Sequence, residues 1–230
     1  MQEVPQVFEK SNDFSLNKTS SKIIECNREL CNSGKFYNKV DEKTNFKYND
    51  FMRITGGVLK GRNIKCPDGI IRPAMDKMKE SVFSILNDIT DLSFLDLFSG
   101  SGSIALEASS RGANPVTLVE KDRIKIDTVL ENVSIAPNKI NCKFMAVELF
   151  LKRNKEQFDL IFCDPPFPYN FHEDLVGMCF KYNALKPTGT LMIHRPSEKK
   201  LPDRIEGLIR TDQRIFGRSI VDFYKIDTEK

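Results

Sequence analysis

The sequence predicts an α/β fold in which a mostly parallel, seven-stranded sheet carries helices on both faces, preceded by a small β-hairpin and helix. Two observations favour this fold. From residue 91 onward, short apolar runs alternate with segments whose apolar residues recur at helical spacing, which is typical of parallel sheets. A chain of 230 residues, 40% of them hydrophobic, can also bury a core of ordinary size.

The predicted elements follow one another along the chain. Alternating apolar and polar residues around three glycines predict a hairpin over 53–65, and an apolar stripe predicts a helix over 74–86. Strands are then predicted over 94–98, 115–120, 141–147, 158–163, 190–194, 205–211 and 219–225. Helices are predicted over 104–110, 123–133, 149–152 and 171–182. Antiparallel pairing is expected at the end of the chain.

The first part of the chain differs in character from the rest. Residues 1–51 contain seven Asn, scattered aromatic residues and no clear strand or helix period, which predicts a poorly ordered extension with a short helix near 20–30. One domain is predicted over 52–230. We expect this domain to need nothing before about Phe51, and Met52 is a candidate start of translation.

Charge is distributed unevenly over the predicted domain. We distinguish a basic first segment, 52–90, from the remaining core, 91–230. Residues 52–82 carry seven basic and three acidic side chains, whereas residues 83–194 carry eleven basic and fourteen acidic ones. This layout could dock a polyanion beside an acidic pocket for a small ligand, although solvated faces can produce the same pattern by chance.

Several kinds of protein are excluded by composition. No stretch approaches the roughly 20 apolar residues that a membrane helix needs. The first ten residues lack the basic start and apolar run of a signal peptide. The six cysteines form no CxxC pair and have no His at zinc spacing, so free thiols and no metal site are expected. We therefore expect a cytoplasmic protein.

A glycine-rich turn follows the first strand of the predicted sheet. Asp96 is followed by Phe98, Ser99, Gly100 and Gly102, and a helix is predicted directly after them. Glycines allow a ligand to approach the backbone closely, and the start of a helix offers N–H groups. Ligands of open α/β sheets bind at this edge. The turn is therefore a candidate binding loop, although a plain strand–helix connection can look the same.

Glu120 ends the next predicted strand. An acidic side chain at this position can accept hydrogen bonds from both hydroxyls of a ribose, as it does in dinucleotide-binding folds. The ribose of S-adenosylmethionine can be bound in the same way. Together with the glycine turn, Glu120 indicates an adenosine-containing ligand without choosing between these two, and an exposed charge at a strand end is the plainer alternative.

The tetrapeptide Asp164-Pro165-Pro166-Phe167 follows the apolar run FDLIFC. Two prolines fix φ and remove two donors, which predicts a rigid turn at the sheet edge. This turn can aim a carboxylate and carbonyl oxygens at one point, and the aromatic ring offers a stacking surface for a flat base. An exocyclic amine needs such acceptors rather than a strong base, because its nitrogen gains acidity as it attacks a methyl carbon. The tetrapeptide therefore favours methylation of an amine.

At these residues the sequence resembles a known family. DLFSGSG, VEKD and DPPF look like motifs of class I, S-adenosylmethionine-dependent amino-group methyltransferases, which implies a Rossmann-like fold. A second set of motifs is similar to the bacterial 16S rRNA (guanine(966)-N(2))-methyltransferase family, small-subunit methyltransferase D: RITGG (53–57), KGR (60–62) and RPAMDKMKESVF (72–83). The resemblance covers about 52–230 and implies methyl transfer to the N2 amine of a guanine in 16S rRNA.

The resemblance implies a set of cofactor-binding residues. That set is Asp96, Phe98, Ser99, Gly100, Gly102, Glu120, Val147 and Asp164. The glycine turn would cradle the methionine part of S-adenosylmethionine, and Glu120 would bind its ribose. Many class I enzymes have a polar residue after the third strand to meet the adenine, but this chain reads MAVE there. The backbone N–H of Val147 is the candidate in its place.

The resemblance also implies catalytic and RNA-binding residues. Asp164 and the carbonyl of Pro165 would accept hydrogen bonds from the guanine amine, within a turn shaped by Pro166. Phe167 would stack on the flipped base. The residues expected to meet the RNA backbone are Arg53, Lys60, Arg62 and Arg72. The implied partner is 16S rRNA, within a small ribosomal subunit or an assembly intermediate, and a monomer is expected.

Other interpretations stay open from the residues alone. An adenine-N6 methyltransferase acting on DNA or RNA shares the amine chemistry. A dehydrogenase would use the glycine turn and Glu120, but would leave the DPPF tetrapeptide unexplained. A non-catalytic RNA-binding or assembly module could retain the fold. His172 and His194 are the only histidines, and we expect His172 at the surface start of a helix and His194 in a structural role.

Overall fold

The computed structural model describes residues 51–66 and 75–228, together with the backbone of residues 39–40 and 47–48. Arg72, predicted to meet RNA, lies outside the described residues. No helix in the described part of the chain is both long and apolar enough to span a membrane.

Little of the predicted N-terminal extension is described. Two strands of two residues, Lys39–Val40 (β1) and Lys47–Tyr48 (β2), pair antiparallel within it. The helix predicted near 20–30 lies outside the described residues. The extension and its boundary at Met52 therefore stay predictions.

A hairpin and a helix precede the central sheet. Phe51–Arg53 (β3) pairs antiparallel with Asn63–Lys65 (β4), and a 3-10 helix, Gly57–Leu59, lies in the connection between them. Helix α1 follows at Met75–Leu86. Both the hairpin and the helix agree with the predictions from the apolar pattern, with boundaries that differ by no more than a few residues.

Within the described residues, eight strands form the central sheet. They are Phe94–Leu97 (β5), Val116–Val119 (β6), Ile140–Lys143 (β7), Phe158–Cys163 (β8), Leu185–Pro196 (β9), Arg204–Ile205 (β10), Leu208–Phe216 (β11) and Ser219–Ile226 (β12). Their order is β10-β11-β12-β9-β8-β5-β6-β7. Strands β5 to β9 pair in parallel, whereas β9, β12, β11 and β10 pair antiparallel in turn.

The prediction of seven strands was wrong by one. A single strand was predicted over 205–211, but Glu206 has a positive φ of 52° and the chain turns back at this point. The turn divides the segment into β10 and the start of β11, which pair with each other. The mostly parallel α/β fold itself is confirmed.

Helices cover both faces of the sheet. They are Ser103–Ser110 (α2), Ile126–Val133 (α3), Val147–Arg153 (α4) and His172–Lys181 (α5). Neighbouring residues on a strand point to opposite faces, so each strand serves two cores. Phe94 and Phe162 pack with α1, α2 and α3 in one core, whereas Leu95 and Ile161 pack with α4 and α5 in the other.

The hairpin is joined to the domain through a buried carboxylate on α2. Glu107 is fully buried and accepts hydrogen bonds from the backbone N–H and the hydroxyl of Thr55, both at 2.8 Å. The backbones approach so closely that a Cβ on Gly57, which has a φ of 72°, would lie 1.8 Å from the carbonyl oxygen of Ser110. This close approach explains the glycine in the predicted hairpin.

Candidate active site

The register of the parallel strands brings the predicted site residues to one edge of the sheet. Leu97 of β5 is aligned with Val119 of β6 and with Cys163 of β8, and Cys163 is aligned with Ile193 of β9. The residues that follow these four are Phe98, Glu120, Asp164 and His194. Because the strands are parallel, all four lie at the carboxyl edge, where open α/β sheets bind their ligands.

The glycine turn at this edge has a backbone that favours glycine. Phe98, Gly100 and Gly102 all have positive φ, at 63°, 62° and 81°. Gly102 caps the start of α2, and a Cβ there would lie 3.2 Å from the side chain of Val133. A Cβ on Gly100 would meet no atom closer than 4.0 Å, so this glycine borders open space. The turn therefore leaves room beside Gly100 for a ligand to approach the backbone.

Asp96 lies beneath the turn and is fully buried. Its Oδ2 accepts hydrogen bonds from the hydroxyl of Ser99 at 2.5 Å and from the backbone N–H of Ala105 at 3.1 Å. Its Oδ1 is buried and has no hydrogen-bond partner among the described residues. Burial raises the pKa of Asp96 to about 7, against the effect of its two donors and with smaller contributions from the charges of Asp164 and Glu120.

Glu120 faces the turn from the neighbouring strand. It is 5% exposed, and its Oε2 accepts a hydrogen bond from the backbone N–H of Gly100 at 2.7 Å. Its Oε1 accepts one from the backbone N–H of Asp122 at 2.8 Å, and the ammonium group of Lys125 lies 3.7 Å from Oε2. Each carboxylate oxygen has a second lone pair, so Glu120 can still accept from the two hydroxyls of a ribose.

The DPPF turn begins directly beside the glycine turn. The backbone N–H of Asp164 donates to the carbonyl of Leu97 at 3.2 Å, which ties the two loops together. Pro165 is buried, whereas Pro166 is exposed and its carbonyl accepts the backbone N–H of Tyr169 at 2.8 Å. Phe167 is 42% exposed, so its ring can be reached by a planar ligand.

Two further aromatic residues, Tyr169 and Phe171, extend this surface, and the sequence motifs did not predict them. The ring of Tyr169 meets those of Phe98 at 5.3 Å and Phe171 at 5.8 Å between centroids, in edge-on geometry. Phe171 is 61% exposed. Exposed Phe in the motif FPYNF was the available signal, because large apolar side chains in a polar loop are unfavourable unless a partner covers them.

Both histidines lie behind the DPPF turn. His194 is 4% exposed, and its Nδ1 is 2.8 Å from Oδ1 of Asp164. The expectation that His172 lies at the surface was wrong, because this side chain is 2% exposed and packs against the ring of Tyr169. Burial, together with the charges of Lys199 and Arg195, lowers the pKa of His172. It is therefore neutral near physiological pH.

The remaining predicted residues lie in two places. Val147 begins α4, with its side chain in the core and its backbone N–H in the first helical turn, where it has no partner within the helix. Arg53, Lys60 and Arg62 are exposed on the hairpin, and the guanidinium of Arg53 lies 3.7 Å from the carboxylate of Asp76. Within the described residues, no cluster of His, Cys, Asp and Glu could hold a metal ion.

The residues at this edge fit an adenosine-containing cofactor with a charged amino-acid end. Oδ1 of Asp96 is an unused acceptor at the base of the turn, and Gly100 leaves the backbone accessible. Glu120 retains acceptor capacity for a ribose. The neighbouring carboxylate of Asp164, beside an exposed Phe167, provides an acceptor and a ring for a second, planar ligand. The edge can therefore bring a cofactor and a base together.

Comparison with known proteins gives matches over most of the chain. The family described as Conserved hypothetical protein 95 matches residues 52–225. YlbH of Bacillus subtilis is 32% identical over 182 residues, which cover 76% of this chain and 98% of that protein. Ribosomal RNA small subunit methyltransferase D of Escherichia coli is 31% identical over 167 residues, which cover 70% of this chain and 83% of that enzyme. Among solved structures, the Escherichia coli protein yhhF has a TM-score of 0.70 at 25% identity, over 78% of this chain and 99% of that one.

Proposed function

The chain belongs to the Conserved hypothetical protein 95 family, and from this premise we propose that it transfers a methyl group from S-adenosylmethionine to the exocyclic N2 amine of a guanine in 16S rRNA. Similarity to the small subunit methyltransferase D of Escherichia coli supports ribosomal RNA as the substrate. The observation that carries the proposal is the meeting of two loops: the DPPF turn, with its carboxylate, is hydrogen-bonded to Leu97, directly before the glycine turn.

Residues of the glycine turn and the neighbouring strand would hold the cofactor. When bound, S-adenosylmethionine supplies a methyl carbon activated by a positively charged sulfur. Asp96 offers its unused Oδ1 to the charged amino-acid end, and Glu120 accepts the ribose hydroxyls. The backbone N–H of Val147, in the first turn of α4, is available to the adenine. Phe98 directs the chain from strand β5 into the glycine turn with its positive φ of 63°.

The DPPF turn would hold the amine. Asp164 and the carbonyl of Pro165 accept the two N–H groups, and Phe167 stacks on the ring of a base taken out of its stack. The amine nitrogen would form a bond to the methyl carbon as the carbon–sulfur bond breaks, and the proton that the amine loses would pass to the carboxylate of Asp164. This reaction depends on orientation and electrostatic stabilisation, because a fixed near-attack geometry replaces a strong base.

The hairpin would bind the RNA backbone. Arg53, Lys60 and Arg62 are exposed on the hairpin, and Arg72 follows it in the sequence. Cationic side chains that meet phosphates supply affinity without reading the sequence. We expect the protein to act as a monomer in the cytoplasm, on 16S rRNA within a small ribosomal subunit or an assembly intermediate, and to need no metal.

Methyl transfer to small ribosomal subunits that lack this modification tests the proposal. Subunits are incubated with labelled S-adenosylmethionine, and the RNA is digested to nucleosides. Label in N2-methylguanosine is the expected result. Label in N6-methyladenosine would move the assignment to the adenine-N6 alternative, which shares the amine chemistry. Binding of S-adenosylmethionine without transfer would support a non-catalytic module.

The role of Asp164 is tested in the same assay. Asp164→Ala is expected to lower the rate of transfer at least ~100-fold, because it removes a preorganised acceptor at the reacting amine. The fold and the affinity for S-adenosylhomocysteine should remain. Asp174→Ala, at an exposed carboxylate on α5, is the matched control and should retain the wild-type rate. Near-normal turnover by Asp164→Ala would contradict the assignment.

A further inference from the structure

His194 reaches the amine-binding carboxylate only because of the strand register. It lies on β9, 30 residues after Asp164, and follows Ile193, the residue aligned with Cys163 of β8. On its other side, His194 is paired with Val221 of β12. The histidine is thus fixed between two strands at the catalytic edge, and only 4% of its side chain is exposed.

In the hydrogen bond between His194 and Asp164, the histidine is the donor. Nδ1 of His194 lies 2.8 Å from Oδ1 of Asp164, which is 21% exposed. An ionised carboxylate can only accept, so Nδ1 carries the proton and donates it. Nε2 is buried and has no hydrogen-bond partner among the described residues. His194 is therefore a donor to Asp164 through Nδ1, and its other ring nitrogen is enclosed by the protein.

We infer that His194 is a positioning residue for methyl transfer: its Nδ1–H holds Oδ1 of Asp164 and leaves Oδ2 to accept the target amine. This inference rests on the proposed function, and it names a residue that neither the DPPF motif nor the glycine turn contains. Partners that orient an active group from behind fix its rotamer, and their loss typically lowers activity by ~10–100-fold.

The same geometry indicates which group accepts the proton that the target amine loses. Nδ1 already carries a proton and Nε2 is buried, so neither nitrogen of His194 takes the proton that the amine loses. As the nitrogen–carbon bond forms and the carbon–sulfur bond breaks, that proton passes to Oδ2 of Asp164. It leaves from there to water, because Asp164 is partly exposed. His194 thus orients the acceptor without entering the proton transfer.

Three substitutions separate this role from a purely structural one. In His194→Asn, the amide nitrogen can take the place of Nδ1 and donate to Asp164. In His194→Gln, the longer side chain places its amide nearer to the position of Nε2, and in His194→Leu no donor remains. Met192→Leu is the matched control, because Met192 is fully buried on the same strand and belongs to the hydrophobic core. A volume-conserving swap there leaves the edge intact.

The experiment measures single-turnover methyl transfer to undermethylated small subunits, together with binding of S-adenosylhomocysteine. We expect His194→Leu and His194→Gln to lower the transfer rate ~10–100-fold with KM for the subunit nearly unchanged. His194→Asn should stay within ~5-fold of wild type, and all variants should bind S-adenosylhomocysteine with affinities within ~2-fold of wild type, since a misplaced acceptor affects the reacting geometry rather than cofactor binding.

The outcomes distinguish this inference from the proposed function. If wild type methylates the subunit and Asp164→Ala does not, but His194→Leu retains the wild-type rate, the positioning role is overturned while the function stands. Equal losses in His194→Asn and His194→Leu would overturn it as well. Addition of His194→Leu to Asp164→Ala should cost nothing further, because a residue that acts through Asp164 has no effect once that carboxylate is absent. A further loss in the double variant would contradict the inference.

Discussion

Two fully buried carboxylates differ in their surroundings: Glu107, which lies on α2, and Asp96, which lies on β5 and accepts a hydrogen bond from α2. Glu107, at the hairpin, has hydrogen bonds at both oxygens from Thr55, and the guanidinium of Arg111 lies 2.9 Å from its Oε1. The buried ammonium of Lys79 lies 4.0 Å from its Oε2. Asp96, at the glycine turn, has two neutral donors on one oxygen and no partner among the described residues on the other.

The difference indicates that Glu107 serves the fold, and it supports the proposal that Asp96 binds the cofactor. Buried polar groups in folded proteins nearly always have hydrogen-bond partners, so a complete set at Glu107 identifies a structural junction. The incomplete set at Asp96 leaves a buried acceptor without a partner at the base of the glycine turn. Burial without a compensating positive charge also raises the pKa of Asp96 to about 7. Substitutions of these two carboxylates test this distinction, and a third, on the exposed side of the hairpin, has the smallest expected effect on stability.

The largest loss of stability is expected at the hairpin junction. Glu107→Ala should lower the free energy of unfolding by about 3–5 kcal/mol, because Lys79 and Arg111 would be left near one another without their carboxylate. Urea unfolding measures the change. The control is Glu131→Ala, which removes an exposed ion pair between the same hairpin and α3 and should cost no more than about 1 kcal/mol. Similar losses in the two variants would show that burial does not distinguish them.

The opposite sign is expected for Asp96 at neutral pH. Its pKa lies near 7 in the folded protein and near 3.8 unfolded, so between these values the folded state binds more protons. The stability that this carboxyl contributes is therefore present at low pH and is lost as pH rises, by at most ~1.4 kcal/mol per pH unit. Asp96→Asn does not titrate, and it retains an oxygen for Ser99 and Ala105.

Unfolding of the cofactor-free proteins measures this effect. Between about pH 5 and about pH 8, the stability of Asp96→Asn relative to wild type should rise by roughly 2.5 kcal/mol. Above the folded pKa the difference should level off. A stability difference that does not vary with pH would mean that Asp96 is compensated as Glu107 is, and the contrast between the two sites would fail.

The smallest effect on stability is expected on the outer side of the hairpin. Arg62 is exposed, so Arg62→Glu should change the free energy of unfolding by no more than about 0.5 kcal/mol. Its effect should appear in RNA binding, with weaker affinity and a salt dependence whose slope falls by about 1. Lys152→Glu, at an exposed lysine of α4, is the matched control. Equal effects on RNA and S-adenosylhomocysteine binding would count against the RNA-facing role.

The elements of the fold could largely be predicted from local pattern. Strand β8 has the predicted bounds, because FDLIFC is an apolar run ended by two prolines. Strand β9 is longer than predicted, since it begins at Leu185 and includes Pro187 and Gly189, which sequence rules place outside strands. Strand β10 was missed because a left-handed turn at Glu206 divides an apparently continuous strand. The side chain of Glu206 does not indicate its positive φ, so the division of this segment could not be predicted from the sequence.

The sequence by itself determined the order of strands and helices, the glycine turn and the rigid DPPF turn, because periodicity, glycine and proline act within a few residues. Only the tertiary structure decided which distant side chains meet. His194 reaches Asp164 across 30 residues through strand register, and Glu107 meets Thr55 across 52 through docking of the hairpin. Such pairings depend on how whole elements pack, and a local pattern holds no information about the partner that packing brings.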